Sequence, residues 1–167
     1  MTASTSALLA AGAAGALAAR AGFRAALLAK LRADVRKLNG GDASTMLAAY
    51  ADDAVLRFNP GAHRWAGDHV GKPAIERFYR NFTAARMQGE IIELWFGGPL
   101  HRLTFVVRFD DFTTDPDGRR IYENRTVLAL RTRWGRIVEH EDFYEDTSRI
   151  QTLEDKLTEL GVEAVPA

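Results

Sequence analysis

An α+β domain is predicted: helices fill the first half of the domain, and a long antiparallel sheet then curves around three of them into a cone enclosing an apolar pocket. Two observations carry this. Apolar residues recur at steps of three and four as far as Phe82, and from Glu90 onward the chain switches to the two-residue period of strands. The strand-like half is broken at Gly97-Gly98-Pro99, at Asp115-Pro116-Asp117-Gly118 and at Trp134-Gly135, spacings that hairpin turns require.

Composition sets the outer bounds. The 167 residues are 47% apolar and 26% charged, with 22 Lys+Arg against 22 Asp+Glu, which fits an ordinary globular domain. A balanced charge offers no long-range field for phosphates, so no nucleic-acid partner is expected. Without cysteine there is no disulfide framework, thiol nucleophile or thiolate metal site. Thirteen of the first thirty residues are Ala, and the apolar run Ala7 to Ala19 falls short of the roughly 20 residues that span a bilayer. No basic segment precedes that run, since the first side-chain charge is Arg20. Residues 1–22 are therefore expected to be an Ala-rich helical extension without chemistry. Export is the minority alternative, because small residues around Ala18 to Ala21 mimic a cleavage site. The default location is the cytoplasm, with no membrane partner.

The single domain is expected over residues 23–161, with a tail at 162–167. Phe23, Leu27, Leu31, Val35 and Leu38 mark one face of a helix that Asn39-Gly40-Gly41 ends. A short helix follows, with Asp42 as N-cap and Met46, Leu47 and Tyr50 facing inward. Residues 54–59 form a short strand, and residues 60–71 a Gly-rich loop. Pro73 opens a third helix whose inner face is Ile75, Phe78, Tyr79 and Phe82. Strands are predicted at 90–96, 101–113, 120–133 and 136–144. The last helix starts at Ser148, with Gln151 completing a capping box, and shows Ile150, Leu153, Leu157 and Leu160 before Gly161.

With this order of elements, the stretches DDAVLRFNPGAHRWAGDHVGKPAIERFY and GRIVEHEDFYEDT resemble the SnoaL-like, ketosteroid-isomerase-like branch of the nuclear transport factor superfamily. The resemblance implies a cystatin-like α+β barrel. That fold carries isomerases, cyclases, hydrolases, dehydratases and plain binding domains, so function has to come from the pocket.

Strand alternation groups Arg108 and Asp110 with Thr104, Val106 and Phe112, and groups His140, Asp142 and Tyr144 with Val138. Because Glu139 and Glu141 are more comfortable in water, the Asp142 face is read as the pocket side. The pocket is then expected to hold Asp110 and Asp142 with Arg108 close to both. Two acids flanking a cation can share one proton, one serving as base and the other as acid. The alternative is an ordinary Arg108–Asp110 salt bridge on a solvated strand face.

This constellation is similar to that of the limonene epoxide hydrolase family, which places an Arg-x-Asp on one long strand, a second Asp on the last strand and an Asn at the end of the first. Arg108-Phe109-Asp110, Asp142 and Asn59 match those positions. By resemblance, Asp142 helped by Asn59 deprotonates a water that attacks an epoxide carbon, Asp110 protonates the departing oxygen, and Arg108 bridges the acids. The sequence departs from the pattern at Arg57, where the family has a water-holding Tyr, and at Glu139-His140-Glu141, which replaces a Trp-Arg pair. Ketosteroid isomerase chemistry fits less well, because its base position holds Asn59. A cyclase needs only one pocket acid, which Asp142 with His140 supplies.

Substrate contacts are expected from Arg57, Trp65 as a pocket lid, Phe78, Phe82, His140 and Tyr144. His63 and His69 are read as surface residues. No metal-ligand spacing, phosphate loop or Gly-x-Ser-x-Gly elbow appears, so neither a metal nor a cofactor is expected. The expectation is a cofactor-free acid/base enzyme acting on a small hydrophobic molecule, with epoxide hydrolysis by direct water attack as the leading reaction. The alternatives are a cyclase or isomerase and a non-catalytic small-ligand-binding domain. A homodimer is expected through the outer sheet face.

Overall fold

The structure, a computed structural model, describes residues 5–166, with side chains from Ala18 onward. The chain divides into two compact units, Met1–Ala33 and Asp34–Ala167. The described residues of the first are helical, the N-terminal part of α1 (Thr5–Asn39). The Ala-rich segment and the periodic one are thus a single helix, because no residue between them stops it. Its end falls at the expected stop: Gly41 takes φ +88°, a left-handed conformation that glycine adopts without steric cost, and its N–H donates to the Leu38 carbonyl at 2.8 Å.

In the second unit, α2 (Ser44–Ala49) starts where the Asp42 carboxylate accepts the Ser44 N–H at 2.9 Å. Strand β1 (Tyr50–Phe58) begins four residues earlier than the sequence reading, so Tyr50 belongs to the sheet. Within the Gly-rich loop lies a strand that the reading missed, β2 (Gly67–Val70), paired antiparallel to β1. Helix α3 (Lys72–Ala84) carries Pro73 in its first turn and buries Ile75, Phe78, Tyr79 and Phe82. Strands β3 (Gln88–Gly97), β4 (Thr104–Thr114), β5 (Arg120–Arg133) and β6 (Arg136–Tyr144) follow, with a 3-10 turn at Leu100–Arg102 where the reading had extended a strand.

Helix α4 (Thr147–Glu159) is capped differently from expectation. The Asp146 carboxylate accepts both the Ser148 N–H at 3.0 Å and its hydroxyl at 2.6 Å. Gln151 instead donates to the Ala62 carbonyl and to Asp155. An extended aspartate just before the helix is the stronger acceptor, so it takes the free donors.

The six strands form one curved, unclosed sheet in the order β2-β1-β6-β5-β4-β3. It is not wholly antiparallel: β1 runs parallel to β6, with Leu56 opposite His140 and Arg57 opposite Glu141. Against one face pack the apolar sides of α3 and α4, in a core that includes Leu56, Phe58, Trp65, Ile75, Phe78, Phe82, Ile150 and Leu153. That face is where any enclosed chemistry must sit.

Candidate active site

On β6 the alternation works as read. His140 and Asp142 are buried on the inner face and Tyr144 lies partly buried beside them, while Phe143 is exposed. On β4 the parity is the reverse of the expected one. The buried residues are Val107, Phe109, Asp111 and Thr113, so Arg108 and Asp110 lie on the outer face. Asp110 pairs there with Arg125 at 3.4 Å, both side chains nearly half exposed, which is an ordinary surface ion pair of little energetic worth. The expectation that Arg108 and Asp110 share a cavity with Asp142 is therefore corrected. A one-residue offset moves every side chain to the other face, and the adjacent carboxylates Asp110 and Asp111 make the two offsets look alike. The signal that separates them is apolar: Leu103, Phe105, Val107 and Phe109 form an unbroken odd-numbered series, whereas the even series already contains Thr104 and Arg108.

Arg57 is likewise outside, 3.8 Å from Asp68 and 3.9 Å from Glu139, because its neighbours Leu56 and Phe58 take the inner face. Asn59 is partly buried just beyond β1, and its Oδ1 has no hydrogen-bond partner. His69 is buried, with its Nε2 at 2.9 Å from the Trp65 carbonyl, so it is not the surface residue expected.

Among the described residues of the sheet, two carboxyl groups are buried, Asp142 and Asp111. Asp142 Oδ1 lies 2.7 Å from His140 Nε2, a short contact that lacks hydrogen-bond alignment. The other ring nitrogen, Nδ1, is 2.5 Å from the Tyr50 hydroxyl, which is in turn 3.0 Å from the Tyr79 hydroxyl. With Nδ1 bonded to Tyr50 and Nε2 against the carboxylate, His140 stands behind Asp142. Asp111 Oδ2 accepts the Tyr144 hydroxyl at 2.9 Å and the Tyr122 hydroxyl at 3.5 Å, while Oδ1 has no partner. Sequence reasoning placed Tyr50 and Tyr79 inward without a site role and did not single out Asp111 or Tyr122. Among the described residues no three His, Asp or Glu side chains converge as a metal ion would require, and no helix is long and apolar enough to cross a membrane.

Burial pushes Asp111 up to about 7; the Asp142 charge adds to the rise, and the phenol donors only partly offset it. The tyrosines follow the same rule. Burial first, and then their acidic neighbours, hold Tyr144 and Tyr122 well above the ordinary phenol range, so they stay neutral donors.

Tyr122 and Tyr144 also face a small apolar cavity, whose other walls are Phe58, Trp65, Phe78, Phe82, Met87, Ile150 and Leu153. Four of the expected substrate contacts, Trp65, Phe78, Phe82 and Tyr144, are thus brought together; Arg57 and His140 are not among them. The cavity is about 10 Å³, room for about one water. A larger occupant has to displace the aromatic walls.

The Asp111 shift predicts a pH dependence of stability. An unfolded aspartate titrates near 3.8 and the folded one near 7, so between those values the native state holds a proton that the unfolded chain has lost. Stability from this group is full below about 4, falls as pH rises to about 7 and is then flat, with an upper bound on the order of 4 kcal/mol. Asp111→Asn should flatten this decline. Urea midpoints at about pH 5 and about pH 8 check it: parallel losses in wild type and variant would place the pH dependence elsewhere.

Similarity to known proteins agrees with this architecture. The chain covers 93% of an NTF2-like protein of unknown function from Burkholderia pseudomallei, using 74% of its own length, at 25% identity and a TM-score of 0.59. It covers 77% of a protein of unknown function with cystatin-like fold from Methylobium petroleophilum, using 72% of its own length, at 20% identity and TM-score 0.56. It also covers 89% of SalBIII, an epoxide hydrolase/cyclase-like enzyme in pyran ring formation of the polyether salinomycin, using 71% of its own length, at 18% identity and TM-score 0.57. No curated protein matches the sequence. The profile of the SnoaL-like domain matches residues 31–140, from α1 through β6 to the buried histidine, and the chain belongs to that family.

Proposed function

We propose that the inner sheet face carries cofactor-free acid/base chemistry on a small hydrophobic molecule, and that the reaction is the opening of an epoxide by water or by a hydroxyl of the same molecule. The observation that carries this reading is a pair of buried carboxyl groups in unequal settings, Asp142 against His140 and Asp111 poised near neutrality. Such a pair splits naturally into base and acid. Asp142 takes the proton of the attacking hydroxyl as its oxygen bonds to the epoxide carbon, the ring C–O bond breaks, and the departing oxygen takes the proton of Asp111. Asp142 ends protonated and Asp111 ionised, and one proton passing from the first to the second restores the start. Asp111 thus takes the role that the resemblance had given to Asp110. The likeness to an epoxide hydrolase/cyclase-like fold relative supports the substrate class by analogy.

A panel of terpene, styrene and cyclohexene epoxides is the test. Diol or cyclised product above background supports the reading, and no product from folded protein overturns it. The size of the cavity favours a second reading, a non-catalytic binding domain that opens for a small apolar ligand. Binding of the same epoxides without turnover would establish that instead.

The outer face supports a companion proposal, a homodimer. Trp95 and Phe143 are about half exposed there, and Arg108 stands opposite Glu93 on the adjoining strand, so one patch carries apolar and complementary charged groups that a two-fold axis can match. Light scattering should find twice the 18.5 kDa chain mass. A mass of one chain at micromolar concentration overturns it.

A further inference from the structure

The two tyrosines behind His140 play no part in the acid/base steps above, yet they are among the most deeply buried polar side chains of the unit. Tyr50 opens β1 and Tyr79 lies on α3, and they are 1% and 3% exposed. Their hydroxyls continue the line that starts at Asp142: Oδ1 to His140 Nε2 at 2.7 Å, Nδ1 to the Tyr50 hydroxyl at 2.5 Å, and that hydroxyl to Tyr79 at 3.0 Å. The Tyr50 ring is also stacked near the imidazole, centroids 6.0 Å apart and planes 27° from parallel.

We propose that Tyr50 and Tyr79 are positioning residues which hold His140 as the neutral tautomer protonated on Nε2, the ring nitrogen that lies 2.7 Å from Asp142. The inference rests on reading Asp142 as the base of the site. A neutral imidazole has one donor and one acceptor nitrogen, and a carboxylate can only accept. With Asp142 charged, a bare Nε2 at 2.7 Å would set two lone pairs against each other inside a buried site, so Nε2 carries the proton. Nδ1 is then the acceptor, Tyr50 must donate to it, and the Tyr50 oxygen is left to accept from Tyr79. Both hydroxyls then donate toward the imidazole, an order in which one bond polarises the next, and the protonated ring nitrogen is the one 2.7 Å from Asp142. The reverse order needs an acceptor for the Tyr79 hydroxyl, and among the described residues its sole hydrogen-bond partner is Tyr50. Burial keeps both phenols protonated, as a donor chain requires.

The misalignment of the Nε2 contact adds a second consequence. Because the contact is not an aligned hydrogen bond, the imidazole leaves the carboxylate unsaturated and able to take a proton from a ligand.

Long-range proton–nitrogen correlation spectra of the full-length, nitrogen-15-labelled protein test this at neutral pH, with the His140 signals assigned by loss in His140→Gln. The expected pattern is a pyrrole-like Nε2 and a pyridine-like Nδ1. In Tyr50→Phe the two shifts should move toward each other as the bias between tautomers is lost; in Tyr79→Phe they should move in the same direction by less. If Tyr50→Phe does not fold, Tyr79→Phe, one hydroxyl further away, still reads the effect. A pyrrole-like Nδ1, an imidazolium pattern, or shifts unmoved in whichever tyrosine variants fold overturns the proposal. These signals need no substrate, so a protein inert to every epoxide but showing the expected tautomer sinks the catalytic reading alone.

Discussion

Arg64→Ala should cost the folded state about 3–5 kcal/mol, a large share of the stability of a domain this size. Arg64 sits in the loop between β1 and β2 with its side chain 2% exposed, and Glu154 on α4 meets it with 16% exposure. The guanidinium grips the carboxylate at both ends, Nε to Oε2 at 2.9 Å and Nη2 to Oε1 at 3.0 Å, and the Arg64 backbone N–H donates to Oε2 as well. Its remaining donors reach the Val162 and Glu163 carbonyls at 2.8 and 3.3 Å. Burial alone would raise Glu154, but the hydrogen bonds and charge of Arg64 outweigh it and hold the carboxyl below its usual value. Deleting the side chain leaves that carboxylate only the backbone N–H of residue 64 and removes the donors to two carbonyls. The melting temperature should fall by roughly 10 °C. Glu154→Gln in the Arg64→Ala background should recover part of the loss, since it removes the charge left without its partner. A fall of under about 2 °C in calorimetry would show that water replaces the guanidinium at no great cost.

The second large effect is catalytic. If Asp142 takes the proton from the attacking hydroxyl, Asp142→Asn should lower kcat on a responsive epoxide by about 10² to 10⁴-fold, because the amide matches the carboxylate in volume but cannot serve as base. Binding should change little. Asp111→Asn should fall in the same range, and the double variant should be no worse than the weaker single one by more than a small factor, since both groups act on one step. Asp110→Asn separates the interior acid from the one expected by resemblance: whichever aspartate shares the Asp142 phenotype is the proton donor. An Asp142→Asn protein as active as wild type removes Asp142 from the mechanism.

What could be read from residues alone divides along physical lines. The ends of β5 and β6 were legible because Asp117-Gly118 and Trp134-Gly135 are turn-formers; Trp134 and Gly135 both take positive φ, as a tight hairpin turn requires. The inward set His140, Asp142 and Tyr144 followed from alternation next to two glutamates. On β4 the same reasoning failed, since the Asp110-Asp111 doublet offers a carboxylate on either face and only the apolar residues before it fix the parity. β2 escaped because four residues, Gly67–Val70, are too few to show a period. Tyr50 and Arg64 were hidden for another reason. Their partners, His140 and Glu154, are each 90 residues away in the chain, and no local pattern encodes so distant a contact.

The parallel pairing of β1 with β6 also dictates when the interior can be completed. Arg133 and Arg136 close their hairpin across three residues, whereas Tyr50 meets His140 across 90, a difference worth about 3 kcal/mol of loop-closure entropy. The meander from β3 to β6 is thus the natural early structure, and β1 arrives late by a long-range contact of the kind that slows folding. The tyrosine–histidine–aspartate line spans that final seam. Amide protection measured during refolding should appear in β4, β5 and β6 before β1, and the interior acid pair acquires its full polar support only when the last strand has docked.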